Sequence, residues 1–233
     1  FRRVLFRSQE AFELGQRILG EQVEGVYGIQ MFAIRREQGR LAEAAPIIKR
    51  LVEENPNQTT WKPGFAVIAC ELGYREPAQR VLDELADGGF ALPVDAKRST
   101  TLAYLAEVSA ALEDRDRAEQ LYDLLAPFRR KTITAGVTTV CYGSADRYLG
   151  DLATTLGDLR AAEEHFEHAL EMNSALGAYP WLAHTKHAYA GMLRRRGKSG
   201  DAARASRLSE ESLDAAMRFD MIALKQKLRG PEH

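Results

Sequence analysis

The 233-residue chain is short of the features that announce most chemistries. It holds only two cysteines, Cys70 and Cys141, too few for a disulfide framework or a cysteine-rich zinc site. Eight prolines leave long stretches uninterrupted, and no apolar run approaches the roughly 20 residues needed to span a bilayer. Neither charge sign dominates. With 32 Lys+Arg against 33 Asp+Glu the formal net charge is -1. That balance argues against direct nucleic-acid binding and anionic-membrane binding, which need a cationic surplus. Phosphate loops of the G-x-x-x-x-G-K-[ST] type, G-x-S-x-G elbows and H-E-x-x-H metal motifs are all missing. Nor is there a cyclase-like set of metal-binding aspartates or a recognition helix with a basic flank. The chain reads as non-catalytic, with no cofactor, and as a cytoplasmic protein.

What remains is a sequence that is 45% hydrophobic and 28% charged, rich in Ala, Leu, Arg and Glu. That composition predicts an all-α fold. The chain opens on Phe1 and not on Met, which suggests a piece of a longer protein. Its first eight residues, FRRVLFRS, look like an adaptor-derived tail and are set aside from the fold, leaving one domain over 9–230.

One motif recurs along that domain: a helix end, a tight turn, and a new helix with Ala five positions past the turn residue. It stands at Gly39–Ala44, Gly73–Ala78, Glu113–Ala118, Gly157–Ala162 and, more weakly, Gly197–Ala202. The steps are about 34, 40, 44 and 40 residues, inside the range of helix-pair repeats. Seven residues before four of the turns stand Ala66, Ala106, Gly150 and Ala190, small groups where two helices approach closely; Phe32 breaks the pattern in the first unit. Nine after the turn come Ile48, Leu82, Tyr122 and Phe166, and twelve after it Leu51, Leu85, Leu125 and Ala169, continuing one face at helical spacing. Pro56 marks the expected end of a second helix. These anchors predict a lead helix over 9–23, pairs over 26–54, 61–87, 97–128, 139–173 and 179–217, and a last helix over 221–229. Gly88-Gly89 and 129–137 are the substantial breaks. The segment RRKTITAGV at 129–137 reads as an extended loop, because a single short strand has no partner.

In these residues the chain resembles tetratricopeptide repeats. The unit carrying Leu149, Gly150, Gly157, Ala162, Phe166 and Ala169 matches best. The resemblance implies a right-handed α-solenoid of about five helix pairs. A narrower likeness covers about 135–225, through GSADRYLG at 143–150, EEHFEHAL at 163–170, MNSALGAYPWLAHT at 172–185 and AYAGML at 188–193. This part is similar to the C-terminal repeat region of large bacterial signalling ATPases, which carry a nucleotide cyclase or a LuxR-type DNA-binding domain elsewhere. It implies a scaffold or sensor arm that binds a protein, a peptide or a small effector in its concave groove, or that acts on attached effector domains. A plain structural spacer or a homodimerisation module is the competing expectation.

The same resemblance places groove residues on the first helix of each unit. They are Ser144, Arg147, Asp151 and Thr154 in the fourth, and His184, His187, Gly191 and Arg194 in the fifth. Earlier units offer Val26, Ile29, Ala33 and Arg36, then Thr60, Val67 and Cys70, then Thr100, Ala103 and Glu107. The groove should thus be apolar at one end and polar, partly cationic, at the other. Arg147 and Arg194 suit a carboxylate or phosphate through bidentate bonds, unless Arg147 simply pairs with Asp151 four residues on. The histidine pairs His165/His168 and His184/His187 each share a helix face, a spacing metal sites use. Helix phase nevertheless puts the first pair on the outer layer beside the core-facing Phe166, so no metal is expected. Trp181 reads as a packing plug between the fourth and fifth units, and Arg194-Arg195-Arg196 as solvated charge at a helix C-terminus.

Overall fold

In the computed structural model, residues 2–19, 22–43, 45, 46, 50, 61–92, 95, 97–135 and 139–229 are described. The fold is predominantly α-helical. Helices α1 (Arg2–Leu19) and α2 (Gln22–Glu37) come first, followed by helical residues at 41–43, 45, 46 and 50. Then come α3 (Lys62–Glu71), α4 (Arg75–Asp87), α5 (Arg98–Leu112) and α6 (Arg115–Leu125), the last running into a 3-10 turn at Ala126–Phe128. A ribbon of β1 (Thr132–Ala135) and β2 (Val140–Ser144) precedes α7 (Ala145–Leu156), α8 (Leu159–Ala175), α9 (Tyr179–Arg196), α10 (Asp201–Arg218) and α11 (Ile222–Arg229).

The recurring turn has a local cause. Gly39, Gly73, Gly157 and Gly197 take positive φ there, a left-handed conformation that ends a helix at little cost for glycine. Glu113 does the same at φ +58 without that freedom. The next helix is then started by a side-chain cap in two cases. Asp114 accepts the Arg117 N–H at 3.1 Å, and Asp158 accepts that of Ala161 at 2.9 Å.

Packing follows the small-and-large pattern. Ala66, Ala106, Gly150 and Ala190 are buried, and so are Leu82, Leu85, Leu125, Phe166 and Ala169. Tyr122 is half-buried, while Ala44, Ile48, Leu51 and Pro56 lie outside the described residues or their described side chains. Ala78, Ala118 and Ala162 fill their expected slots, but Ala202 is exposed and Ala205 is buried in its stead. The fifth copy of the motif is therefore three residues out of phase. Buried apolar side chains fall into three clusters. The largest runs from α3 to α7, the second from α7 to α10, and the third joins Ala183 and Ala216 to Met221 and Leu224.

Three expectations need correction. The lead helix, expected over 9–23, runs over Arg2–Leu19 as α1. The segment 132–135 is no loop but β1, paired antiparallel with β2 through Thr134↔Cys141 and Ala135↔Val140. The fourth pair consequently starts its first helix at Ala145, with 140–144 extended. The ribbon is held because its inward residues, Ile133 and Tyr142, are buried, and because Thr100 of α5 donates to the Thr134 carbonyl at 2.8 Å. Gly143 sits at φ +73, where a Cβ would lie 2.6 Å from that of Trp181 and 2.8 Å from Asn173 Oδ1.

Candidate functional site

Charged side chains from five helices meet on one face and alternate in sign. Lys227 (α11) donates to Glu71 (α3) at 3.2 Å, and Arg36 (α2) donates to the same carboxylate at 2.9 Å. Arg36 also donates to Glu107 (α5) at 2.7 Å. Glu107 takes a second short bond from Arg147 (α7), which reaches Asp151 on its own helix at 3.4 Å. The order along this chain of contacts is plus, minus, plus, minus, plus, minus.

Burial makes the arrangement matter. Except for Lys227, every member has a side chain less than one-fifth exposed, so an uncompensated charge would be costly. Burial pushes the Glu107 carboxyl up, but the two guanidinium groups outweigh it and bring it down to about 2. Asp151 is the opposite case. Burial dominates, the opposing pull of Arg147 is shared with Glu107, Glu107 repels, and the carboxyl is pushed up to about 6. Arg147 also stacks over Tyr148, its guanidinium 4.1 Å from the ring centroid, with Trp181 on another side at 5.8 Å.

A second contact spans the face beside this chain. His184 Nε2 on α9 lies 2.9 and 3.1 Å from the two oxygens of the buried Glu37 on α2, joining residues 147 apart in sequence. Burial raises the Glu37 carboxyl, yet His184 and Arg36 bring it below the usual range. One turn further on, His187 is lowered to about 4, first by burial and then by the neighbouring His184, Lys227, Arg194 and Arg147. Arg36 Nη1, Arg147 Nε and His187 Nδ1 are buried with no hydrogen-bond partner among the described residues.

The six predicted groove residues therefore separate. Asp151, His184, His187 and Arg147 do come together, and Arg147 makes the pairing with Asp151 that was one of the two expectations for it, together with a bond to Glu107. Ser144 is fully buried and lines no groove: it caps α7, its hydroxyl accepting the Asp146 N–H at 3.2 Å. Arg194 is exposed and donates to Ser209 of α10, while its charge still acts on His187. Arg36 and Glu107, among the positions assigned to the apolar end of the groove, carry charge into it. Glu37, Glu71 and Lys227 were not foreseen. They lie off the positions the repeat pattern assigns, although Arg36 and Glu107 were on it.

Other expectations resolve nearby. His165 is not on an outer layer but buried, its Nδ1 2.8 Å from Asp146 and its Nε2 2.9 Å from the Tyr122 hydroxyl. His168 leans on Arg130, and the two histidine pairs keep separate partners. Among the described residues no three His, Cys, Asp or Glu side chains gather as a metal ion would require. Arg194 and Arg195 are exposed, while Arg196 is half-buried and paired with Glu163 and Asp201. Trp181 does act as a plug, packing on Tyr142 and His184 with centroids 5.3 Å away, its indole N–H donating to the Cys141 carbonyl at 2.6 Å.

No protein-family model matches the chain, and a search of curated proteins finds no match. Among the described residues, no helix is long and apolar enough to cross a membrane.

Proposed function

We propose that the chain is a non-catalytic helical-repeat arm of a multidomain bacterial signalling or transcription-regulating protein, working in the cytoplasm. In this reading the helix pairs form a right-handed, tetratricopeptide-like solenoid of about five units. A protein or small effector engages the inner face, and the attached effector domain responds. One observation carries the reading: Arg36, Glu107, Arg147, Asp151 and His184 come from four units yet meet on a single face. The unpartnered donors of Arg36 and Arg147 favour a ligand that offers acceptors, such as a carboxylate.

The test is titration calorimetry of the intact chain against small dicarboxylates and glutamate-rich peptides. Arg36→Lys and Arg147→Lys keep the charge but lose the planar fork, so a bound ligand should weaken at least tenfold in either variant. Unchanged affinity in both would defeat the assignment of this face.

The spacer or dimerisation reading has one observation in its favour. Phe6 and Leu14 on α1 are 61% and 59% exposed, and α1 packs chiefly on α2 among the described residues. Sedimentation velocity of the chain with Phe6→Glu and Leu14→Glu separates the readings. A dimer in the parent chain that dissociates in the double variant would favour dimerisation.

A further inference from the structure

The turn after α2, the end of α3 and the start of α11 leave a cleft between them. Its volume is about 360 Å³, at the lower end of the range for small-molecule sites. Two leucines supply its apolar wall, the buried Leu41 and the partly exposed Leu72. Another wall is α11, whose Ala223, Gln226 and Lys227 stand at i, i+3 and i+4 and so share one helix face. Gly39 brings the α2 turn close to that face. A Cβ there would stand 3.5 Å from Gln226 Oε1 and 3.6 Å from the Ala223 backbone nitrogen. Polar groups of both signs meet in the cleft. Glu71 accepts from Arg36 Nε at 2.9 Å, Arg36 Nη2 at 2.8 Å and Lys227 Nζ at 3.2 Å, all at Oε1. Among the described residues, Oε2 of the same carboxylate is left open. Lys227 is 46% exposed and keeps two further donors. Ala223 lies in the first turn of α11, where backbone N–H groups lack helical partners and the helix dipole is positive.

The geometry points to a binding site for a free, zwitterionic α-amino acid with an apolar side chain. Its ammonium donates to Glu71 Oε2, and its carboxylate accepts from Lys227 and the Gln226 amide at the positive end of α11. Its side chain lies against Leu41 and Leu72. The two charged groups of an α-amino acid share one carbon, which suits an acceptor and a donor held 3.2 Å apart. The ligand then runs antiparallel to the Glu71–Lys227 pair, each charge facing its opposite. Net charge gives a second argument. Arg36, Arg147, Arg194 and Lys227 are balanced here by Glu37, Glu71, Glu107 and Asp151. A zwitterion keeps that balance, whereas a bare anion or cation upsets it beside half-buried charges. The cleft stands apart from Arg147 and Asp151, so the inference does not rest on the effector site proposed above.

Titration calorimetry of the intact chain with L-leucine tests it. Leucine should bind. Isopentylamine and isocaproate, which each keep the side chain and lose one charge, should bind at least tenfold more weakly. Glycine, which keeps both charges and loses the side chain, should be weakened as much. Lys227→Met leaves Arg36 in place on Glu71, so the fold should hold by circular dichroism while leucine affinity drops at least tenfold. Leu72→Ser, at a partly exposed position, should narrow the gap between leucine and glycine. Arg147→Lys, which weakens a ligand of the inner face, should leave leucine affinity unchanged, so the two sites fail separately. No heat from leucine at millimolar concentration would overturn the inference. So would equal binding of either one-charge analogue, unchanged affinity in Lys227→Met, or loss of leucine binding in Arg147→Lys.

Discussion

Replacing one helical glycine by alanine should weaken this protein, while the same replacement one helix pair along should strengthen it. In a helix interior Gly→Ala ordinarily stabilises by about 0.5–1 kcal/mol, because glycine loses more backbone freedom on folding. Gly191 in α9 has nothing within 4 Å of an added Cβ, so the full gain should appear there. Gly150 in α7 faces Phe166, and its Cβ would lie 2.8, 2.9 and 2.9 Å from three ring carbons. Favourable carbon contacts sit at about 3.5–4.0 Å, so one group must move. The ring has no room. It is fully buried and stacked on Tyr189 at 5.4 Å between centroids with 18° between planes. Overpacking of this kind costs about 1–3 kcal/mol, which outweighs the propensity gain. The two variants should therefore differ by about 1–3 kcal/mol, with Gly150→Ala below the parent and Gly191→Ala above it. Urea unfolding followed by circular dichroism reads this as midpoint shifts of opposite sign at an unchanged slope. Adding Phe166→Leu to Gly150→Ala should restore part of the loss. If Gly150→Ala raises the midpoint as Gly191→Ala does, the close helix approach inferred at this position is wrong.

Two further outcomes follow from the ribbon and the charged face. Gly143→Ala combines a positive φ, worth about 1–2 kcal/mol for an L-residue, with the 2.6 Å approach to Trp181. A fall in thermal midpoint with loss of near-ultraviolet tryptophan signal is expected, and an unchanged midpoint would count against the ribbon seat. For Glu107, a carboxyl lowered to about 2 contributes stability that is complete above its ordinary range and lost as pH falls toward 2. Glu107→Gln should cost about 3–5 kcal/mol at pH 7, because it leaves Arg36 and Arg147 buried without a countercharge. The gap between variant and parent should narrow steadily between pH 4.5 and pH 3 in denaturant titrations; a constant gap would refute the pairing.

Helix pairs and their turns were legible because both rest on local or strictly periodic signals. Gly73, Gly157 and Gly197 announce helix ends, and Ala66, Ala106 and Gly150 mark close approaches by their size alone. The ribbon was not legible. Thr132–Ala135 is β-prone by itself, but its partner Val140–Ser144 lies just before a strong helix and was absorbed into it. Pairing between strands is a contact, not a composition. The same limit explains His165, placed outside by phase from Phe166 yet buried by Asp146 and Tyr122 on other helices. On the charged face, Arg36, Glu107, Arg147, Asp151 and His184 fell on expected positions. Their engagement with one another did not follow from position, since it depends on how closely α2, α5, α7 and α9 approach.

The seat of Trp181 has an optical consequence. The chain contains two tryptophans, and Trp61 stands apart at the start of α3. Trp181 lies tilted at 30° to the imidazole of His184 and close to the Arg147 guanidinium. Its indole emission is thus a native gauge of the seat it shares with Tyr142 and Arg147: separation of α9 from α7 and the ribbon takes the phenol ring and the cation away from the indole. With Trp61→Phe as background, the protein reports on its own charged face in a fluorimeter, with no dye attached.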